Sequence, residues 1–346
     1  MKKITIITIA LLIGLALLGC GMNVPDEITS DPSINELKSI EIGGIAQWIH
    51  IKGDDESKPL LLVLHGGPGF SMMPMIGQMN KALEEEFIVV NWDQRGSGKS
   101  YDPNIPIDSM TLDQFVLDAN ELTNYLRKAF NKDKIYILGH SFGSLMGMKL
   151  IEEYPENYCG YFGTGQMIDF ISNEQLGYDF ALAKAEETDN GEVIEILKSV
   201  GRPDSQGNYM LEDGYEETSK YIEYYGGALY EKDSIDPIYD LIFDSAIYEN
   251  DEQNLLDGYE FSQLIFDDEA VRTINLQEDI RVVEVPVYFL QGRHDYDTPS
   301  ELVQSYFEIL EAPKKELIWF EQSAHFPFYE EADKFSETII EVVKCK

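Results

Sequence analysis

The run Leu60-Leu61-Leu62-Val63-Leu64 has no polar position. Such a stretch has no face to offer water and reads as a strand buried on both sides of a sheet. Phe87–Trp92, Lys134–Leu138, Tyr158–Thr164, Val285–Leu290 and Glu316–Phe320 are further, largely apolar runs that read as strands. Between them the period lengthens. Thr111–Phe130 places Leu112, Phe115, Val116, Ala119, Leu122 and Leu126 on one helical face, with Thr111 as its N-cap. Further helices are expected over Leu145–Tyr154, Ser300–Leu310 and Ala332–Val343. Near the start, Ile40-Glu41-Ile42 and Ala46–Ile51 alternate around Gly43-Gly44 as a hairpin would. Strands alternating with helices predict an α/β protein whose mostly parallel central sheet is flanked by helices.

The rhythm breaks in two places. Gln166–Asp279 lacks β-branched runs and reads as helices, for example Asn173–Glu187 and Glu192–Ser199. It is expected to be an inserted helical cap, residues 166–280, between two parts of a core at 38–165 and 281–346. The other break is at the start. Met1-Lys2-Lys3 leads into Ile4–Leu18, almost wholly apolar. Its 15 residues fall short of the roughly 20 needed to span a bilayer, and match a signal-peptide core. The run ends in Leu17-Leu18-Gly19-Cys20, which resembles a bacterial lipobox. That resemblance implies removal of residues 1–19 and lipidation of Cys20, each buried CH₂ contributing about 0.8 kcal/mol to the anchor. An ordinary secretory signal with a chance cysteine is the alternative. Gly21–Leu37 is polar, carries Pro25 and Pro32, and is expected to be a tether over residues 20–37. The expected location is the extracytoplasmic face of the cell membrane, with membrane contact through the lipid alone.

At 346 residues, one large domain with an insertion is reasonable, and a hydrophobic fraction of 44% is ordinary. The net charge of −37 is not. It argues against a nucleic-acid partner, which needs a basic face, and suits extracellular solubility or a cationic ligand. Gln166–Asp279 alone holds 29 acidic against 6 basic residues, a balance of −23. Tyr221, Tyr224, Tyr225, Tyr230 and Tyr239 crowd the same segment. Cys20, Cys159 and Cys345 make no disulfide framework, and a Cys159–Cys345 pair stays open. There is no H-E-x-x-H and no paired C-x-x-C, so no metal and no cofactor is expected.

Chemistry concentrates after the strand at Lys134–Leu138. Gly139-His140-Ser141-Phe142-Gly143 fits the G-x-S-x-G nucleophile elbow, with a strand before it and a helix after. The glycines let strand and helix pass closely, and the helix N-terminus faces the centre where negative charge develops. A serine hydroxyl needs a base within reach and an acid to orient that base. Asp295 follows one apolar strand and His325 the next, and the order Ser141, Asp295, His325 is that of a strand-to-helix elbow. Of the other histidines, His50 lies in the hairpin, His65 is expected to brace a loop, His140 to point away from the elbow, and His294 adjoins the acid. Asp297 rivals Asp295 as the acid; Asp295 is preferred for its place directly after Gly292-Arg293-His294. An oxyanion hole needs two converging N–H donors. Phe142 supplies one, and Gly67 in His65-Gly66-Gly67-Pro68-Gly69 is the candidate for the other.

Together with Asp93-Gln94-Arg95-Gly96-Ser97-Gly98-Lys99-Ser100, these motifs resemble the α/β-hydrolase superfamily, and within it the prolyl iminopeptidase-like serine peptidases. The resemblance runs from Ile40 to Lys346. It implies that the first glycine loop builds the oxyanion hole and the second packs beside the site. It also implies an acyl-enzyme intermediate, and a helical cap whose acidic groups hold the free amino end of a small peptide. The family usually has Gly-Gly-Ser-Trp-Gly where this chain has His140 and Phe142, which bears on proline preference rather than on hydrolysis. A carboxylesterase acting on a small ester or amide is the alternative. A surface binding protein without chemistry would show a broken triad. A dehalogenase or epoxide hydrolase of this fold would need aspartate where Ser141 stands.

Overall fold

The apolar runs pair edge to edge in a computed structural model that describes residues 33–344 except residue 212. The apolar leader, Cys20 and the first part of the tether lie outside the described residues. So does Cys345, and with it any pairing to Cys159. The strands are β1 (Ile34–Ile42), β2 (Ile45–Gly53), β3 (Leu60–Leu64), β4 (Ile88–Asp93), β5 (Ile135–His140), β6 (Tyr158–Thr164), β7 (Val287–Gly292) and β8 (Lys315–Phe320). They form one sheet in the order β1-β2-β4-β3-β5-β6-β7-β8. β1 with β2 and β2 with β4 are antiparallel, and every other pairing is parallel.

Side chains along a strand alternate between the two faces of its sheet. Leu60, Leu62 and Leu64 therefore join one apolar layer with Phe115, Leu122, Leu145 and Tyr306. Leu61 and Val63 join the opposite layer with Met73, Ile76, Phe335 and Ile339. The helices Leu112–Ala129, Phe142–Glu153 and Ser300–Ile309 supply the first layer, and Met73–Met79 and Ala82–Glu86, with Ala332–Lys344, the second. Covered on both faces, β3, β4, β5 and β7 are buried at every position, and β3 is apolar throughout. Each fully buried leucine contributes about 1.5–3 kcal/mol. Thr111 caps its helix through its side chain, which accepts the N–H of Gln114 at 3.3 Å.

The tether expected to run to Leu37 is shorter than that. β1 begins at Ile34 and pairs residue by residue with β2 as far as Ile34 opposite Gly53. As an edge strand it buries little, and Asn35, Glu36 and Leu37 are exposed. The apolar alternation by which a strand is recognised is missing for that reason. The helices Met73–Met79 and Ala82–Glu86 are too short to display a period, and went unanticipated.

Between β6 and β7 the chain is helical, with Phe170–Glu187, Gly191–Val200, Gly214–Tyr224, Asp236–Phe243 and Glu252–Ser262 as its longer members. Tyr178, Ala181, Leu197 and Ile222 give this cap an apolar cluster of its own. Asp169 and Asn190 cap two of its helices by accepting the N–H groups of Ser172 and Val193. The cap is fastened to the end of β4 and to the loop after it. Tyr248 donates its hydroxyl to Asp93 at 2.7 Å, and Lys99 pairs with Asp251. The same loop is braced beneath. Arg95, 1% exposed, makes a two-pronged bond to Asp118 at 2.8 and 3.0 Å. Gln94 and Ser97 hold the ring and carbonyl of His65, which is the bracing role expected of that histidine.

Candidate active site

β5 delivers Ser141 to a sharp turn. Its φ of 52° and ψ of −123° lie where non-glycine residues are strained, and the helix starts at the next residue. Neighbours fix that conformation: Ser141 donates its N–H to the carbonyl of Thr164 at 3.1 Å, and Ser144 donates to the carbonyl of Ser141 at 2.8 Å. A Cβ on Gly143 would stand 2.1 Å from the carbonyl oxygen of Leu64, so only glycine lets the helix pass β3 this closely.

Asp295 lies just beyond β7 and is fully buried. Its carboxylate accepts the N–H groups of Asp297 and Thr298, the Thr298 hydroxyl and the Gln291 side-chain amide, at 2.8 to 3.0 Å. The fifth donor is His325 Nδ1, at 3.0 Å from Oδ2. His325 follows β8 and is 2% exposed. Asp297 is on the other side of the ring, its Oδ2 3.3 Å from Nε2. The two rival carboxylates thus take opposite nitrogens, and the one at Nδ1 is Asp295.

Burial works against a charge on His325. The carboxylates of Asp295 and then Asp297 outweigh it and hold the imidazole up at about 9. Burial raises Asp297, the charge of His325 pulls it back, and Asp295 raises it further.

Gly67, Ser141 and Asp297 line two cavities. The narrower, about 70 Å³, continues past Phe142, Met167, Phe170 and Phe266 to Glu174. The wider, about 320 Å³, runs along His325 to Tyr239, Tyr259 and Glu223. Glu174 comes from the helix Phe170–Glu187 and accepts the Tyr209 hydroxyl at 3.0 Å. Burial lifts its carboxyl to about 7, Tyr209 lowers it and the charge of Asp297 adds to the rise. Glu223 is raised too, by burial first, while the N–H of Ile235 lowers it.

All the residues singled out in the folded part of the sequence, Ser141, Phe142, Gly67, Asp295 and His325, gather here; Cys20 is outside the described residues. One expectation is corrected. His140 does not turn away: its ring centre lies 4.6 Å from that of His325, in one aromatic cluster with Phe326 and Phe328 at 5.1 and 5.0 Å. Glu174 and Glu223 could not be picked out in the sequence, where they stand among many acids; the charge balance of the cap was the only signal. Among the described residues no group of three or more His, Cys, Asp or Glu side chains is placed to hold a metal ion.

Comparison with known proteins matches residues 59–332 to a family described as the alpha/beta hydrolase fold. A Bacillus subtilis protein named as the probable aminopeptidase YbaC is 31% identical over 316 residues, covering 90% of this chain and 97% of that one. The proline iminopeptidase of Heyndrickxia coagulans is 26% identical over 282 residues, or 81% of this chain and 88% of its own. Among solved structures, a proline iminopeptidase from Mycobacterium smegmatis superposes with a TM-score of 0.63 at 16% identity, covering 89% of this chain and 98% of that one, a likeness of fold. A match along most of the chain, over a mostly parallel sheet that carries a serine at its elbow, assigns the protein: it belongs to the α/β-hydrolase family and is a hydrolase.

Proposed function

We propose that the protein is a serine aminopeptidase, which releases the N-terminal residue of short peptides through an acyl-enzyme. Carboxylates carry this reading. Glu174, Glu223 and Asp297 all line the space around Ser141, where the amino end of a bound peptide would sit. The names of the relatives agree with it. An ammonium group in that space meets carboxylates in surroundings with little screening. The narrow cavity and its apolar wall suit a small side chain such as that of alanine or proline.

In this mechanism Ser141 Oγ attacks the carbonyl carbon of the first residue as His325 Nε2 takes its proton. Asp295 keeps the ring oriented and balances the imidazolium. The N–H groups of Gly67 and Phe142 receive the oxyanion. Collapse of the tetrahedral intermediate breaks the C–N bond, and the proton on Nε2 goes to the leaving amine. Water then repeats the sequence on the ester and frees Ser141.

The test is a panel of aminoacyl-naphthylamides, their N-acetylated forms and uncharged acyl esters. N-acetylation should cut kcat/KM by at least a hundredfold. Equal cleavage of free and acetylated substrates, with esters as good as either, would move the assignment to a carboxylesterase. We also propose, on the lipobox resemblance of Leu17-Leu18-Gly19-Cys20 alone, that the enzyme is tethered by lipid on Cys20 outside the cytoplasm.

A further inference from the structure

Asp297 occupies a place that a working base should keep clear. The loop after β7 spends the backbone N–H groups of Asp297 and Thr298 on Asp295. Asp297 keeps its own side chain, 40% exposed, on the cavity wall, with Oδ2 3.3 Å from His325 Nε2. Nε2 is the nitrogen that has to receive the proton of Ser141. With one carboxylate at Nδ1 and a second at Nε2, the ring is most stable carrying both protons, and an imidazolium has no lone pair to offer.

The surroundings do not undo this. His325 also faces the ring of His140, and the carboxyl of Glu330 adds to its positive tendency. Glu174, Glu223 and the hydroxyls of Tyr215, Tyr239 and Tyr259 all feel the charge of Asp297. Glu216 shares the wall of the wider cavity. Among the described residues lining the two cavities, Lys220 is the one Lys or Arg side chain, and its ammonium lies 3.4 Å from Glu217.

We propose that Asp297 is a lock on the general base, and that the ammonium group of the substrate opens it. This rests on the aminopeptidase reading. The substrate's cation pairs with Asp297, adds positive charge beside the imidazolium, and drives the Nε2 proton out to solvent through the wider cavity. Nε2 is left with a lone pair facing the serine. Asp297 thereby determines specificity: it converts recognition of a charged amino end into base activation. A neutral substrate that fits the cavity still meets a protonated histidine.

The test separates base from binding. A small uncharged fluorophosphonate reacts with the serine of the free enzyme, so its labelling rate against pH reports His325 directly. In the wild type the acid limb should lie near 9. In Asp297→Asn it should fall by a unit or more, and labelling at pH 7 should rise about tenfold, a factor of ten for each unit. Hydrolysis of a free-amine dipeptide by the same variant should fall. Slower or unchanged labelling at pH 7, in a variant whose circular dichroism matches the wild type, overturns the lock. A second measurement needs no variant. The acid limb of kcat for a free-amine substrate should lie at least one unit below the labelling limb, and coincident limbs overturn the lock. If amine preference holds on the substrate panel while the labelling limb fails to move, the lock falls and the aminopeptidase reading stands. If the preference is absent, the aminopeptidase reading falls, and with it the substrate's part in opening the lock.

Discussion

Glu330 accepts the backbone N–H of Ala324, the residue before His325, at 2.8 Å. Its other oxygen accepts the N–H of Tyr230 at 2.6 Å. Nearby, His325 donates its backbone N–H to Ala228, and Tyr296 donates to Gly227, at 2.9 and 3.0 Å. One short segment of the cap is thus tied to both loops that carry the base and the acid. Leaving a buried N–H unpaired costs about 1–3 kcal/mol. Glu330→Ala should therefore lower kcat about tenfold or more with little change in KM, and Glu330→Gln, which keeps one acceptor, should recover part of it. A raised KM at constant kcat would instead mean that Glu330 shapes the cleft.

Ser141→Ala should reduce kcat by about 10⁶ without altering the fold, because members of a triad act as a unit. Labelling by a fluorophosphonate, followed by peptide mapping, should find Ser141 modified. Modification of Ser144 instead would displace the nucleophile.

Asp295→Asn should cost about 10⁴ in kcat, the scale for an acid that fixes the imidazole tautomer. The loss should be alike for free-amine and uncharged substrates, since Asp295 touches Nδ1 and not the cavity side of the ring. Side-by-side kinetics on one peptide and one ester check this. A loss confined to the peptide would make Asp295 a substrate-binding group.

Much of this was legible in the sequence because its causes are local. β3, buried on both faces, had to be apolar at every position, and Leu60–Leu64 is. Gly143 had to be glycine against the carbonyl of Leu64, and that requirement writes part of the elbow motif. β1 was only partly legible, because Asn35, Glu36 and Leu37 lie exposed at the sheet edge and the apolar alternation shows only from Ile40 on. The choice of Asp295 over Asp297 could be argued from position alone. That Asp297 meets the opposite nitrogen of His325 depends on how its loop folds around Asp295, which no spacing records. The acids of the cap were visible as an excess of charge, but helix packing decides which of them face Ser141.

Cys20→Ser should shift the protein from the membrane fraction to the medium, since acyl chains on its sulfur would be the tether. Fractionation with immunoblotting reads this directly. A variant that stays in the membrane would make the apolar segment Ile4–Leu18 the anchor instead.

Glu174→Gln should separate stability from function. Burial holds the Glu174 carboxyl at about 7, above its ordinary 4.5. Between those values the folded protein keeps a proton that the unfolded chain has lost, so the stability attached to this group declines as pH rises through the window. Above about pH 7 the folded protein carries a charge that its surroundings disfavour. Glutamine never carries it, and its side-chain oxygen can still accept the Tyr209 hydroxyl that Glu174 accepts. The variant should therefore melt at a higher temperature than wild type at pH 8, with the gap closing at pH 4. Activity should go the other way. An ammonium group loses one of its carboxylates, so KM for a free-amine peptide should rise while an acetylated one is unaffected. Thermal melts at the two pH values and kinetics on the paired substrates test both halves. A melting gap of equal size at both pH values would trace the stability to packing, and an equal loss on both substrates would remove Glu174 from amine recognition.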